Sequence, residues 1–299
     1  MPMIKSLPFV WGARTYVVGI VNCAPDSFSG DGYTNPDEAV AHGLRLVAEG
    51  ADLLDVGGES TRPGATPIGE AEELRRVLPV VAALAERAGV PVAVDTSKAA
   101  VATAALAAGA VAVNDVWALA RDPDLAAVVA EWQATLVLMH NGWPVPAPDA
   151  VIGARPATGS GAPVELASGD VVEQVGATLE ERVAAAERAG IARRRLILDP
   201  GIGFGKRVVE SLALLRRLGE IKRRPALAGL PLLVGTSRKG FIGRTLGLPV
   251  HERLEGTLAT LALAIAQGAD LVRVHDVRAA VRCCRMADAI ERGGRANEE

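Results

Sequence analysis

At 299 residues the chain is long enough for two average domains, and equally for one α/β barrel of ~250 residues with insertions. Apolar residues make up 49 % of it and charged residues 22 %, which excludes a wholly disordered chain. Lys plus Arg number 32 against 35 Asp plus Glu, a net charge of −3, which excludes a general attraction to nucleic acid or to an anionic membrane.

In chain order, short Val/Ile/Leu runs end in polar residues or glycine at 16–22, 52–56, 90–95, 110–115, 134–140, 196–199, 230–235 and 269–275. Most are followed by an amphipathic, Ala-rich stretch, which predicts helices over 37–49, 69–88, 98–108, 122–132, 171–190, 209–217, 256–268 and near 278–291. Gly50, Gly89, Gly109, Gly190 and Gly268 stand just past helical runs, where positive φ is favoured. Because the strand runs are nearly continuous in apolar character, both faces should be covered, as in a parallel sheet wrapped by helices. Eight such units predict a single (β/α)8 barrel spanning 1–299. The Pro/Gly/Ala-rich segment 141–170 is expected to be a long loop insertion after the fifth strand, and 293–299 a frayed tail.

Cys23, Cys283 and Cys284 are too few and too badly spaced for a disulfide framework or a Cys-based zinc site. The first eleven residues lack a secretory pattern, and no apolar run reaches the ~18 residues of a membrane span. The expectation is a cytoplasmic protein with no membrane or nucleic-acid partner. Cys283 and Cys284 fall on the last helix as packing residues, and no base is placed beside Cys23 to activate it.

In a barrel of this kind the strand C-termini share one mouth. Those ends read Asn22, Asp55-Val-Gly-Gly-Glu59, Asp95-Thr-Ser-Lys98, Asn114-Asp115, Met139-His140, Asp199-Pro-Gly201, Gly235-Thr-Ser-Arg-Lys239 and Arg273-Val-His275-Asp276. A carboxylate at the lip of an apolar strand needs a partner: a catalytic group, a ligand or merely a helix N-terminus. For Asp95 and Asp115 the plain alternative is a cap or a salt bridge, and for Asp199 it is turn chemistry with Pro200 and Gly201. Coincidence at every end is a poorer account than a site. Arg62, Arg238, Lys239, Arg273 and His275 all fall at these ends or in the loops after them, so the mouth should accept oxyanions, helped by a helix start after the seventh strand. The run Asp199-Pro-Gly-Ile-Gly-Phe-Gly-Lys206 is not a P-loop, since its glycine spacing is wrong and Lys206 is followed by Arg207. A dinucleotide fingerprint would sit in the first βα turn instead.

Together these motifs, in order from Tyr16 to Val277, resemble those of the dihydropteroate synthase family. The matching stretches are Gly19-Ile-Val-Asn22, Pro25-Asp-Ser-Phe-Ser29, Asp55-Val-Gly-Gly-Glu-Ser-Thr-Arg-Pro-Gly64, Val94-Asp-Thr-Ser-Lys98, Asn114-Asp115, Leu138-Met-His140, Asp199 to Lys206, Gly235 to Lys239 and Arg273-Val-His-Asp-Val277. The resemblance implies condensation of 6-hydroxymethyl-7,8-dihydropterin diphosphate with 4-aminobenzoate, with Mg²⁺, by a homodimer. It implies a pterin site at Asp95, Asn114, Met139, Asp199, Lys239 and Arg273. The diphosphate would meet Asn22, Arg62, Arg273 and His275, with Asn22 also reaching the Mg²⁺. The aminobenzoate would meet Phe28, Thr61, Pro63 and Ser237, and the loops carrying Phe28 and Pro63 would close over the reacting centre. Ala24 and Gly30 stand where the family has Thr and Asp, so Asp31, one position on, is the loop carboxylate expected to steady a pterin cation. The fifth-strand loop is longer than expected for the family, and His140-Asn141-Gly142 follows its pattern only in part. Two other readings compete. A methyltetrahydrofolate:corrinoid methyltransferase would not carry Pro25-Asp-Ser-Phe-Ser29 or Thr236-Ser-Arg-Lys239, whereas a catalytically silent pterin-binding paralogue is compatible with the altered first loop.

Overall fold

The computed structural model describes residues 4, 6–24, 32–61, 65–145 and 169–293. Among these, the apolar runs form eight parallel strands: β1 (Tyr16–Asn22), β2 (Leu53–Gly57), β3 (Val92–Asp95), β4 (Ala112–Asp115), β5 (Thr135–Met139), β6 (Leu196–Asp199), β7 (Leu233–Val234) and β8 (Leu271–Val274). The strand order is β6-β5-β4-β3-β2-β1-β8-β7. A bridge between Leu198 and Leu232 joins β6 to β7 and closes the barrel. The seventh strand is shorter than predicted because Pro231 has no N–H to give a ladder; its carbonyl still accepts from Leu198 N at 2.9 Å.

The outer helices are α1 (Pro36–Ala48), α2 (Glu70–Arg87), α3 (Ala99–Ala107), α4 (Leu125–Trp132), α5 (Val171–Arg188), α6 (Val208–Arg216), α7 (Leu218–Lys222), α8 (Gly240–Leu246), α9 (Leu254–Ala266) and α10 (Val277–Arg292). Two of them, α7 and α8, are too short to show a helical period in the sequence. Helix starts are chemically marked where the sequence allows it. Asn35 accepts from Asp37 N at the head of α1, and Asp170 accepts from Val172 N at the head of α5. None of the helices among the described residues is long and apolar enough to cross a membrane. Of the segment 141–170, residues 146–168 lie outside the described residues, as do 294–299 of the expected tail.

Side-chain alternation along the strands sorts the barrel into layers. One parity, including Val17, Leu54, Val94, Val113, Leu138, Leu198 and Val272, packs outward against the helices. The other parity points inward, and Tyr16, Val18, Leu53, Ala93, Ala112, Val137, Ile197, Leu233 and Leu271 fill the barrel with a mostly aliphatic plug. Leu7, Phe9 and Trp11 cover its base, with the Phe9 ring stacked on Tyr16 at a centroid distance of 4.1 Å. Two residues further along each inward row stand Ile20, Asp55, Asp95, Asn114, Met139, Asp199, Gly235 and Arg273. The same rows that close the barrel below thus deliver a mostly polar layer directly above it. Register places Asp95 beside Asn114 and Met139 beside Asp199.

Candidate active site

That polar layer floors a cavity of about 270 Å³ at the strand C-termini, and Asn22, Thr61, Asp95, Asn114, Met139, Asp199, Ser237, Lys239, Arg273 and His275 all line it. These are the sequence-predicted residues that the fold brings together. Phe28, Asp31, Arg62 and Pro63 lie outside the described residues. Asp115 and Arg238, both at strand ends, do not line the cavity. Asp115 has the outward parity, and its carboxylate accepts from Trp117 N at 2.9 Å and Leu119 N at 2.5 Å, so it holds the turn that follows β4 and, among the described residues, is neither a salt bridge nor the cap of an α-helix. Arg238 was expected among the oxyanion-binding cations of the mouth. It instead forms a bidentate pair with Asp276 at 2.6 and 2.9 Å, because its backbone adopts φ of 57° and carries the side chain away.

The centre of the floor is an ionic cluster. Arg273 donates through Nε to Asp55 at 2.6 Å and through Nη2 to Asp95 at 2.7 Å, and Asn114 Nδ2 donates to the same Asp55 oxygen at 2.8 Å. Asp55 is buried beneath the cavity, and its other oxygen, Oδ1, has no partner. It was visible in the sequence as a strand-end carboxylate but drew no role; its parity with Leu53 is the signal that places it. Burial pushes Asp95 up to about 8 despite the pull of Arg273, with Asp55 adding like-charge repulsion. Asp199 is raised by burial too, although Lys239 and the Gly201 amide, which donates to Oδ1 at 2.7 Å, oppose this.

Lys239 closes the other side. Its Nζ donates to the Ile202 carbonyl at 2.6 Å and lies 4.4 Å from the centre of the Phe204 ring. Burial lowers it to about 8, with Asp199 holding it up. At the rim, His275 Nδ1 lies 2.9 Å from Ser237 Oγ, and His275 N donates to that hydroxyl at 3.2 Å. The residues expected to receive the diphosphate and the aminobenzoate are therefore physically joined.

The Gly-rich run after β6 is a framework for this wall. Gly201 has φ of 62°, and a Cβ there would collide with the His140 carbonyl; Gly205 similarly packs backbone to backbone on Gly142. Lys206, which the sequence offered only as the end of a motif, is buried and spans the same gap. Its Nζ reaches the carbonyls of Gly201 (2.8 Å), Phe204 (3.1 Å) and His140 (3.3 Å) and the His140 Nδ1 at 2.9 Å. Burial moves Lys206 down to about 7, and burial with the Lys206 charge moves His140 down to about 3, so the ring is neutral and accepts. Trp143 packs edge-on to Phe204 at 5.7 Å, and the two line the cavity near Val116 and Met139. Nothing in the aperiodic 141–170 segment marked Trp143.

A second buried network lies under the β2–α2 connection. Glu59 accepts from Lys98 at 2.7 Å, from Ile68 N at 2.9 Å and from Arg121, and Lys98 also pairs with Glu73. Burial would raise Glu59, but Arg121 and Lys98 hold it below the usual range. Cys23 is buried and its thiol is pushed up to about 12, so it is no nucleophile. Cys284 is buried as expected, and Cys283 is half-buried on the same helix.

Comparison with known proteins agrees with this geometry. The family described as "Pterin binding enzyme" matches residues 18–275. The dihydropteroate synthase of Bacillus subtilis is 43 % identical over 94 % of this chain and 90 % of its own length. The solved structure of Burkholderia cenocepacia dihydropteroate synthase complexed with 7,8-dihydropteroate superposes with a TM-score of 0.79 at 39 % identity, covering 94 % of this chain and 92 % of that one. That of the Xanthomonas albilineans enzyme with 4-aminobenzoic acid gives 0.78 at 44 % identity, covering 93 % of each. From its motifs, its barrel and its near-complete match to these relatives, the chain belongs to the pterin-binding enzymes and, among them, to the dihydropteroate synthases.

Proposed function

We propose that the chain joins 6-hydroxymethyl-7,8-dihydropterin diphosphate to 4-aminobenzoate, forming 7,8-dihydropteroate and diphosphate. The observation that carries this reading is the inward layer Asp95, Asn114, Asp199 and Lys239, whose uncommitted hydrogen-bonding atoms complement an aminopyrimidinone edge. Asp95 has one oxygen bound to Arg273, and Asp199 has one bound to Gly201 N; each keeps the other for a ligand N–H. Asn114 spends one amide N–H on Asp55 and retains its second N–H and its carbonyl, while Lys239 retains two ammonium protons beyond the one given to Ile202. Met139 supplies an apolar face, and Arg273, fixed in position by two carboxylates, can lie against the ring.

In the reaction the bond from the exocyclic methylene carbon to the diphosphate oxygen breaks, and one from that carbon to the amine nitrogen forms. The nitrogen then loses a proton, and diphosphate departs. As the carbon–oxygen bond weakens, positive charge spreads into the pterin ring, where the Asp95 and Asp199 carboxylates stabilise it with dipoles already in place. Asn22, His275 and Arg273 receive the anion at the rim, and the resemblance adds Arg62 to them. Ser237, tied to His275, and Thr61 bound the amine's side, and the resemblance assigns Phe28 and Pro63 to the aminobenzoate and Asp31 to the pterin cation.

A hard, oxygen-seeking ion fits this rim. Among the described residues there is no group of three or more His, Cys, Asp or Glu to hold a metal by itself, whereas the Asn22 amide oxygen at the strand end suits an ion shared with ligand phosphates. Bound Mg²⁺ would neutralise charge on the departing diphosphate. The same reading takes the functional particle as a homodimer, which light scattering checks.

The deciding experiment measures diphosphate release from purified protein with the pterin diphosphate and Mg²⁺, with and without 4-aminobenzoate. Release that depends on the amine, with dihydropteroate appearing in step, is the expected result. Pterin binding without amine-dependent release would instead mark a silent paralogue.

A further inference from the structure

Most cations of the cavity are already engaged with protein. Arg273 is held by Asp55 and Asp95 and Lys239 by the Ile202 carbonyl, while the His275 ring is joined to Ser237. Arg244 differs. It lines the same cavity, it is exposed, and among the described residues it makes no hydrogen bond or ion pair. Its helix α8, Gly-Phe-Ile-Gly-Arg-Thr-Leu, contains no acidic residue that would pair with it in the usual i±4 fashion. Although exposed, the side chain does not stand straight out from the helix. A Cβ built on Gly240 would lie 3.9 Å from the Cζ and both Nη atoms of Arg244, so the guanidinium is folded back over the first turn, toward Ser237 and the cavity rim. Long helical side chains lean toward the N-terminus of their helix, and here that direction leads to the site.

We infer that Arg244 is a specificity-determining residue that captures the carboxylate of the aromatic amine substrate. The inference rests on the reading of the function given above. A planar guanidinium at the lip can take a carboxylate through two parallel N–H bonds, and it would select amines that carry one over neutral aryl amines of the same shape. The diphosphate is the other anion that enters. Its residues Asn22 and His275 stand at the C-terminal ends of β1 and β8, whereas Arg244 continues the surface Ser237 to Gly240 after β7. The orphan cation therefore faces the amine's side.

Steady-state rates of the full-length protein with Mg²⁺ test this through Arg244→Ala and Arg244→Lys. In Arg244→Ala the KM for 4-aminobenzoate is expected to rise roughly three- to tenfold, the scale of a partly exposed charge-assisted contact. The kcat and the KM for the pterin diphosphate should stay put, as should the constant with which neutral 4-aminobenzamide competes. Arg244→Lys should recover part of the loss, and added salt should weaken 4-aminobenzoate binding more in the wild type than in Arg244→Ala. An equal change for the amide, or no change for either, overturns the inference. A rise confined to the pterin diphosphate does so too, assigning Arg244 to the diphosphate. Failure of the underlying reading looks different: the wild type itself would then show no amine-dependent diphosphate release, and the inference would fall with it.

Discussion

Replacing Asp55 by Asn separates the two jobs of the ionic cluster, holding Arg273 and setting the charge state of Asp95. The substitution keeps the shape and removes the charge from a buried group that accepts at 2.6 Å from Arg273 and 2.8 Å from Asn114. Breaking a buried pair outright costs about 3–5 kcal/mol. Here Arg273 keeps Asp95 at 2.7 Å, and the unpartnered Oδ1 no longer has to be buried as part of a charge, so a loss of about 2–3 kcal/mol is expected in denaturant unfolding. The second effect is on titration. With Asp95 pushed up to about 8, only a minority of sites carry its carboxylate at pH 7. A pterin N–H needs that carboxylate, so wild-type affinity should climb as pH rises toward 8, because binding favours the deprotonated acid. Above that, Lys239, lowered to about 8, loses the proton it donates, and affinity should fall again. The wild-type profile of kcat/KM for the pterin diphosphate is therefore a narrow bell near pH 8. In Asp55→Asn one source of repulsion on Asp95 is gone, so the acid limb should move to lower pH while the alkaline limb stays, serving as an internal control. The decisive quantity is the position of each limb, since a less firmly held Arg273 lowers the whole curve without moving either limb. An acid limb that does not move, in a variant shown to be folded, would refute the claim that Asp95 governs it.

Two further substitutions probe the frame around the site. Lys206→Met withdraws the donor from four acceptors; the Gly201 and Phe204 carbonyls keep backbone donors, so the loss is that of the His140 carbonyl and ring, about 2 kcal/mol, with weaker pterin binding through the displaced Phe204 wall. Because Lys206 is held at about 7 in the folded protein against 10.5 in the unfolded chain, only the unfolded state is protonated there between those values, and wild-type stability should gain with rising pH. Urea unfolding at pH 7, 8 and 9 should thus show the gap to Lys206→Met widening; parallel curves would exclude a depressed Lys206. Asp115→Ala should cost about 1–2 kcal/mol by releasing Trp117 N and Leu119 N, yet leave the pterin diphosphate KM largely unchanged. Asn114→Ala, one residue away, should raise that KM strongly, and equal KM effects at the two positions would contradict the parity assignment.

The neighbours Asn114 and Asp115 show how far the sequence alone could be read. Continuous apolar runs located the eight strands, with β1 and β6 matched to the residue, and the polar strand ends announced a site. The run 110–115 does not by its composition say which of its two polar residues faces inward, since a strand covered on both faces lacks the alternation that would reveal it. Counting in twos from the plug residue Ala112 settles the matter, and the same count recovers Asp55 from Leu53, Asp199 from Ile197 and Arg273 from Leu271. Period-two counting needs an anchor known to point inward, and only the closed barrel supplies one.

Beyond the strands, legibility ends where acceptors come from distant stretches. Lys206 binds atoms of residues 140, 201 and 204, two loops whose backbones touch at Gly142 and Gly205, and no local pattern encodes that meeting. Trp143 and Arg244 reach the cavity for a similar reason, one from an aperiodic segment and the other from a helix of two turns. Their placement follows from the barrel's convergence at one end, which turns any side chain on a βα connection into a neighbour of every other. The strands therefore fix what chemistry can occur, through residues that sequence parity constrains. The connections decide which amine is admitted and how tightly, and there the fold must be known before a residue type acquires a role.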